Sequence, residues 1–143
     1  MSHFVTILII LLLVVLIAFG GLALLIRQSF PQTSGEVNLP GLHLPVEVLR
    51  DSLGVPHIYA QDEHDLFMAQ GYVHAQDRFW QMDFWRHIGA GRLSEMFGDS
   101  QVETDAFIRT LGWPRIAEQE WEAADEETKA VLQAYADGVN AYL

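Results

Sequence analysis

The sequence predicts an α+β protein that begins with an apolar helix, continues through a β-hairpin and ends in a mainly helical part. Three patterns predict this order. Residues 4–26 form an uncharged apolar run, residues 44–60 alternate apolar and polar side chains around a turn, and apolar residues recur at helical spacing from Asp62 onward. Each element follows from its own local chemistry.

The apolar run is long enough to cross a membrane. Because a helix rises ~1.5 Å per residue, residues 4–26 span about 34 Å, against a hydrocarbon core of ~30 Å. An uncleaved anchor is favoured, because the run is long and residues 1–3 lack the positive charge of a signal peptide. A cleaved signal peptide is the alternative, since residues 18–20 offer small side chains at the spacing that a signal peptidase reads.

The distribution of charge and the positions of Pro and Gly divide the rest of the chain into segments. All 8 Lys and Arg and all 19 Asp and Glu follow residue 26, and the net charge is −11. We expect residues 1–27 to direct the chain to a membrane, residues 28–44 to form a Pro- and Gly-containing linker, and residues 45–143 to form one domain. Such acidity argues against a nucleic-acid partner. The absence of Cys excludes disulfides, a Cys nucleophile and thiolate metal sites.

Residues 44–50 and 55–60 alternate in the manner of strands, and residues 51–54 supply a turn that ends in Gly54. This pattern predicts a β-hairpin. Pro56 should lie where the ladder needs no backbone donor.

A long helix is predicted over residues 62–89, with Asp62 as its N-cap and Gly89 and Gly91 at its end. It is apolar over most of its circumference, so it should be buried on several sides. Its first apolar face contains Leu66, Ala69, Val73, Trp80, Phe84 and Ile88, and its second contains Phe67, Gly71, Met82 and Trp85.

Shorter helices follow over residues 92–97 and 103–110, and another begins at Trp113 with Pro114 in its first turn. Asp125 caps a last helix. This helix reaches Leu143 without a Gly cap or a polar tail, so we expect a truncated sequence. Its predicted inward residues are Val131, Leu132, Tyr135, Ala136 and Val139.

Few residues are candidates for chemistry. No histidine stands at the i,i+4 spacing of a helical zinc pair among His57, His64, His74 and His87. The pairs His74–Asp77 and Asp83–His87 are interpreted as local contacts on a packed helix rather than metal ligands.

Hydroxyl and carboxylate groups give no stronger signal. No Gly-x-Ser-x-Gly sequence surrounds Ser52, Ser94 or Ser100. An acidic run also lacks the alternate spacing and central Gly of a calcium loop, so a solvated helix face is favoured. Its members are Glu118, Glu120, Glu122, Asp125, Glu126 and Glu127.

Asp77 is unusual, because it falls on the apolar face of the long helix between Val73 and Trp80. A buried charge needs a partner. Arg50, Arg78 and Arg86 are the candidates, and a structural ion pair between helix and hairpin is favoured over a catalytic role.

Four separate stretches resemble the start of the penicillin acylase (penicillin amidase) family. They are residues 48–60 (VLRDSLGVPHIYA), 65–83 (DLFMAQGYVHAQDRFWQMD), 91–98 (GRLSEMFG) and 135–141 (YADGVNA), in the family's order. The resemblance covers the whole chain after the linker. It implies the first part of the α chain of an N-terminal nucleophile hydrolase, whose complete fold is a four-layer αββα sandwich.

The resemblance also implies a function. Family members are exported precursors that cut themselves into an α and a β chain, and the first residue of the β chain, usually Ser, attacks an amide carbonyl. Their substrates are N-acyl compounds such as β-lactams and N-acyl homoserine lactones. No Gly-Ser processing junction occurs here. Hence no catalytic, substrate-binding or metal-ligating residue is assigned to this chain, and a structural calcium ion is expected only in the full-length protein. The matching residues Arg50, Asp51, His57, Asp77 and Arg78 are interpreted as scaffold.

The resemblance also implies partners. The expected partners are the remainder of the α chain, the β chain, a small N-acyl substrate in the full-length enzyme, and a lipid bilayer through residues 4–26. The body should lie outside the cytoplasm, either anchored or secreted after cleavage, although Arg27 favours the opposite orientation. The alternative function is a catalytically inactive, membrane-anchored interaction protein. A small helical membrane protein unrelated to this family is disfavoured by the four matching stretches.

Overall fold

The computed structural model describes residues 2–28 and 30–143. It divides into two compact units at residues 35 and 36, and each unit is described by itself. Helix α1 (Ser2–Gln28) belongs to the first unit. The second unit contains the strands β1 (Glu47–Arg50) and β2 (Pro56–Tyr59) and the helices α2 (Glu63–Ala90), α3 (Ser94–Phe97), α4 (Val102–Leu111), α5 (Trp113–Ala123) and α6 (Glu126–Tyr142), with a 3₁₀ turn over Asp99–Gln101 before α4.

Helix α1 carries the apolar run predicted from the sequence. By length and composition, Phe4–Arg27 is able to cross a membrane, and none of it is buried within the described structure. A signal sequence meets the same criterion. The helix is therefore compatible with both the anchor and the cleaved signal.

The predicted β-hairpin is present. Strands β1 and β2 are antiparallel, with Val48 opposite Ile58 and Arg50 opposite Pro56. Pro56 is the first residue of β2, where its missing N–H does not weaken the ladder. Strand β1 begins at Glu47 rather than at Leu44, because the Leu44 N–H donates to the carboxylate of Asp65 instead of to a strand.

Helix α2 has the predicted N-cap and ends at Gly91 as predicted, and it also has a kink that the sequence did not predict. The Asp62 carboxylate accepts from the Asp65 N–H at 2.8 Å, and Gly91 closes the helix in the left-handed conformation with φ 63°. Gly89 lies inside the helix rather than ending it. The helix kinks at Arg78, where φ is −145° and ψ is 25°. Neither Pro nor Gly marks this position, so the apolar pattern carried no signal for the kink.

Helices α2 and α6 cross at a pair of glycines. A Cβ atom at Gly71 would meet the carbonyl oxygen of Tyr135, and one at Gly138 would meet the carbonyl oxygen of Met68. The two backbones therefore touch. Apolar side chains buried around the two helices are Met68, Ala69, Val73, Ala75 and Ala134.

This crossing decides which side of α6 faces inward. Ala134 and Gly138, four residues apart, are buried. The prediction for Leu132 is wrong, because its side chain is half exposed. Small residues allow the closest approach of the two helices, so they set the contact face instead of the larger apolar residues.

Candidate functional site

The carboxylate of Asp65 ties the segment before the hairpin to the start of α2. Asp65 is fully buried. It accepts hydrogen bonds from the N–H of His43 at 2.9 Å, the N–H of Leu44 at 2.8 Å and the Nδ1 of His64 at 3.0 Å. Burial alone would raise the pKa of Asp65, but the His43 N–H, the His64 ring and the Leu44 N–H together hold the pKa below its usual value. The group is therefore an ionised anchor for the chain entering the hairpin.

Around this anchor lies a group that we name the His–Asp cluster: His43, Asp62, His64 and Asp65. The Nδ1 of His43 lies 3.1 Å from an Asp62 oxygen and 3.9 Å from an Asp65 oxygen. The rings of His43 and His64 stack, with centroids 4.3 Å apart. One ligand atom from each of the four residues lies within 4.8 Å of every other. Among residues 2–28 and 30–143, these are the side chains that come together in the manner of a metal site.

Of this cluster, the sequence pointed to His64 as a candidate metal ligand and to Asp62 only as an N-cap. His43 was missed because it lies in the segment interpreted as linker, 22 residues before Asp65. The only feature of the sequence that could have drawn attention to His43 is its position just before the first predicted strand. The side-chain exposure across the cluster falls from 60% at His43 to 36% at Asp62 and His64 and to zero at Asp65.

Asp105 on α4 is a second buried carboxylate. It accepts from the N–H of Leu93 at 2.7 Å, the N–H of Ser94 at 2.8 Å and the Oγ of Ser94 at 2.6 Å. Burial would raise its pKa, but the Ser94 donors, the Leu93 N–H and the charge of Arg109 lower the pKa below its usual value. The Ser94 hydroxyl therefore donates to a structural carboxylate that orients the start of α3.

The ion pair expected for Asp77 forms with Arg50. The guanidinium of Arg50 contacts both Asp77 oxygens, at 2.8 and 3.0 Å, and also donates to the side chain of Gln76 at 2.9 Å and the carbonyl of Gly54 at 3.1 Å. Arg50 thus joins the hairpin turn to α2 just before the kink at Arg78. The Asp77 side chain is 29% exposed, so the carboxylate is less buried than its position on the apolar face indicated.

The other candidate histidines have separate local partners. The Nδ1 of His74 lies 3.0 Å from the hydroxyl of Tyr135. The Nδ1 of His87 lies 2.8 Å from the carbonyl of Asp83 and 3.5 Å from its carboxylate. The Nε2 of His57 lies 3.6 Å from a carboxylate oxygen of Asp51. Thus the expected His74–Asp77 contact is replaced by a bond across to α6, whereas the Asp83–His87 contact is present.

The remaining candidates stay apart. Ser52 lies in the exposed hairpin turn, and the Ser100 hydroxyl donates to the carbonyl of Phe97 at 3.4 Å. Within the acidic run, the Asp125 carboxylate caps α6 by accepting from the Thr128 N–H at 2.7 Å. The described part of the chain does not gather these acidic side chains into a ligand group. They are Glu118, Glu120, Glu122, Asp125, Glu126 and Glu127.

The two buried carboxylates predict acid sensitivity. The pKa values of Asp65 and Asp105 are lowered in the folded state, so their stabilisation is complete above the unfolded value of about 3.8 and is lost as pH falls toward the lower folded values. We expect the tertiary fold to weaken below about pH 4. Near-UV circular dichroism between pH 2 and 7 measures this, since all four Trp residues, Trp80, Trp85, Trp113 and Trp121, lie in the second unit. A signal unchanged down to pH 2 would contradict the prediction.

Aromatic side chains of α2 and α3 form an exposed group that we name the aromatic surface: Trp80, Phe84, Trp85 and Phe97. The rings of Trp80 and Phe84 stack with centroids 5.5 Å apart, and Phe84 meets Phe97 edge to face at 5.9 Å. Trp80 is 65% exposed and Trp85 is 60% exposed. The expectation that α2 is buried on several sides therefore fails here within the described residues. Contiguous exposed aromatic side chains are typical of surfaces that bind a protein, a membrane or a ligand.

Comparison with known proteins extends these observations. The family model described as penicillin amidase matches residues 45–143. The chain is 42% identical over 118 residues to penicillin acylase 2 proenzyme of Pseudomonas sp. strain SE83. The aligned residues cover 82% of this chain and 15% of that relative. The chain is also 42% identical over 116 residues to acyl-homoserine lactone acylase QuiP of Pseudomonas aeruginosa, covering 81% of this chain and 14% of that one.

A solved structure is similar as well. The thermostable penicillin G acylase from Alcaligenes faecalis superposes with a TM-score of 0.63 at 36% sequence identity, covering 68% of this chain and 52% of that chain. About two thirds of this chain therefore has an arrangement that is also found in that structure. The chain spans about 15% of the length of the curated relatives that it matches.

Proposed function

This chain belongs to the penicillin amidase family, and from that premise we propose that it forms the start of the α chain of an exported precursor that hydrolyses linear amides. The observation that carries the proposal is the family match over residues 45–143. Because the chain spans about 15% of the length of its relative, the proposed activity, substrates and partners belong to the complete precursor.

The proposed chemistry is acyl transfer to an N-terminal Ser that the β chain supplies. The α-amino group of that Ser acts as the base, and donors of the β chain stabilise the tetrahedral intermediate. The substrate is an N-acyl compound of the β-lactam or N-acyl homoserine lactone type, in line with the names of the similar proteins. This chain contributes scaffold rather than catalytic or substrate-binding residues. Its contribution includes the Arg50–Asp77 ion pair, which holds the hairpin to α2.

The hairpin is proposed to become part of the central sheet of an αββα sandwich. Two strands of four residues each form a marginal sheet in water. Val48 and Leu49 of β1 are 39% and 50% exposed, which leaves apolar surface for a further layer. The rest of the precursor supplies that layer and the neighbouring strands.

The aromatic surface is proposed to dock the remainder of the α chain or the β chain. Trp, Tyr and Phe anchors that bury fully dominate the energetics of such interfaces. Trp80 and Trp85 expose most of their area, and their rings contact Phe84, which restricts the rotation of both side chains. Ordered anchors reduce the entropy lost on association.

Helix α1 is proposed to deliver the body across a membrane. We propose residues 1–27 as the membrane-directing segment, 28–44 as linker and 45–143 as the α-chain domain, with the body outside the cytoplasm. Helix α1 is long and apolar enough to act as an anchor or as a signal. Sequencing the N-terminus of the protein recovered from membrane and soluble fractions distinguishes anchoring from cleavage.

A structural calcium ion, which the family resemblance implies, is proposed only for the complete precursor. Calcium prefers a shell of oxygen ligands. The described part of this chain gathers no such all-oxygen group, since its one cluster of ligands includes two imidazoles. The calcium ligands are therefore proposed to lie in the rest of the precursor.

The function is tested on the complete gene product. We expect it to split into two chains and to release the acyl group from benzylpenicillin or an N-acyl homoserine lactone, whereas the 143-residue chain alone releases none. Mass spectrometry reports the cleavage, and chromatography of the freed acid reports the hydrolysis. The matched control is the complete product with the first residue of its second chain replaced by Ala.

Two results would overturn the proposal. Hydrolysis by the 143-residue chain alone would place catalysis in residues that we assign to the scaffold. A complete product that stays uncut and inactive, yet binds another protein through the aromatic surface, would support the inactive interaction protein instead.

A further inference from the structure

We propose that the His–Asp cluster of His43, Asp62, His64 and Asp65 binds one divalent transition-metal ion of the zinc type. The site is separate from the proposed amidase chemistry and does not depend on it. It would join the segment before the hairpin to the first turn of α2.

The distances fit a small four-coordinate ion. Ligand atoms ~2.0–2.1 Å from a tetrahedral Zn²⁺ lie roughly 3.4 Å from one another. The Nδ1 of His43 lies 3.1 Å from Asp62 and 3.9 Å from Asp65, and the Nδ1 of His64 lies 3.0 Å from Asp65. All four ligand atoms lie within 4.8 Å of one another. The His43 side chain is 60% exposed, so its ring has room to adjust around a bound ion.

The charge balance also favours a cation. No Lys or Arg nitrogen lies within 4.0 Å of Asp62 or Asp65 in the part of the chain that the structure describes, and both carboxylates pair only with histidines. Asp77 and Asp83 elsewhere on α2 each have a guanidinium at 2.8 or 2.7 Å. The His–Asp cluster therefore places two carboxylates beside two imidazoles, without a Lys or Arg to balance the carboxylate charges. A divalent ion balances those charges.

The carboxylates are oriented by backbone N–H groups, which are not themselves metal ligands. The N–H groups of His43 and Leu44 hold the two oxygens of Asp65 at 2.9 and 2.8 Å. The N–H of Asp65 holds one oxygen of Asp62 and leaves the other facing His43. Such outer contacts fix ligand geometry and raise metal affinity.

The donor set selects the class of ion. Imidazole nitrogen suits Zn²⁺, Cu²⁺ and Ni²⁺, whereas Ca²⁺ and Mg²⁺ prefer oxygen ligands throughout. Two imidazole nitrogens and two carboxylate oxygens are ligand types that Zn²⁺ accepts, and together they complete a coordination number of four. The proposed ion is thus distinct from the calcium ion assigned to the rest of the precursor.

The test titrates the 143-residue chain, made without a polyhistidine tag and held in detergent micelles, with Zn²⁺ against a chromophoric chelator. We expect one ion per chain, and tetrahedral absorption bands when Co²⁺ replaces Zn²⁺. His43→Gln and His64→Gln should each weaken Zn²⁺ binding by at least about tenfold. His57→Gln is the matched control, because His57 is also an exposed histidine beside a carboxylate, and it should bind as the unaltered chain does.

The substitutions are chosen so that loss of Zn²⁺ binding can be distinguished from loss of the fold. His43→Gln retains the backbone N–H that Asp65 accepts, and Asp62→Asn retains an N-cap residue, so near-UV circular dichroism should be unchanged while Zn²⁺ binding falls. Binding that is equal in the unaltered chain, His43→Gln and His64→Gln would overturn the proposal. So would an equal loss in His57→Gln, or Ca²⁺ displacing Co²⁺ at comparable concentration.

Discussion

Gly138→Ala is expected to lower the free energy of unfolding of the second unit by about 3 kcal/mol, because it forces α2 and α6 apart. The added Cβ would overlap the Met68 carbonyl oxygen and lie 2.8 Å from its carbon and 3.0 Å from the Tyr72 nitrogen. These are backbone atoms, so no side-chain rotation relieves the overlap. Thermal unfolding followed by near-UV circular dichroism, with the full chain in detergent micelles, measures the loss.

The control lies on α2 itself. Gly89 is a helical glycine, and the position that an added Cβ atom would take has no neighbouring atom within 4 Å. Gly89→Ala should therefore stabilise the second unit by about 0.5–1 kcal/mol through helix propensity. Gly71→Ala should resemble Gly138→Ala, since its Cβ meets the Tyr135 carbonyl from the other side of the same crossing. If Gly138→Ala and Gly89→Ala shift stability alike, the backbone contact is absent.

Asp65→Ala is expected to lower the unfolding midpoint by on the order of 10 °C. The substitution removes the buried acceptor for the N–H groups of His43 and Leu44 and for the His64 ring. The two backbone donors then lose their partner, which costs more than the loss of an exposed bond. The segment before the hairpin should also exchange its amide hydrogens faster, which hydrogen-exchange mass spectrometry detects.

Asp51→Ala is the matched comparison for this effect. The Asp51 carboxylate also accepts from two backbone N–H groups, those of Leu53 at 2.8 Å and Val55 at 2.9 Å, but it lies in an exposed turn. Water replaces an exposed acceptor, so the midpoint should fall much less. Equal shifts for Asp65→Ala and Asp51→Ala would show that burial of the acceptor does not matter.

Local sequence signals were sufficient for the helix caps and for the hairpin turn. The Asp62 and Asp125 caps, the Gly91 and Gly98 helix ends and the turn before Val55 are each encoded within a few residues, and the structure has them. Such signals act through neighbouring backbone groups, so they do not require knowledge of the rest of the fold. The partner of Asp77 required more, because three arginines were available and geometry selected Arg50.

Apolar periodicity was a less reliable guide to burial. Trp80 and Leu132 fall on the apolar faces of their helices and are nevertheless 65% and 50% exposed. Periodicity identifies which side of a helix is apolar, but not whether this chain or another layer covers that side. The exposed Trp80 is consistent with the proposed docking of the rest of the precursor.

The sequence by itself determined the apolar N-terminal helix, the hairpin, the order of the helices and the family, because each depends on patterns that are contiguous or repeat in a recognisable order. Only the tertiary structure decided that His43 stands beside Asp62, His64 and Asp65, and that Gly71 and Gly138 bring two helix backbones together. Those contacts join residues about 20 to 70 positions apart, and their formation depends on how the chain turns and packs between them.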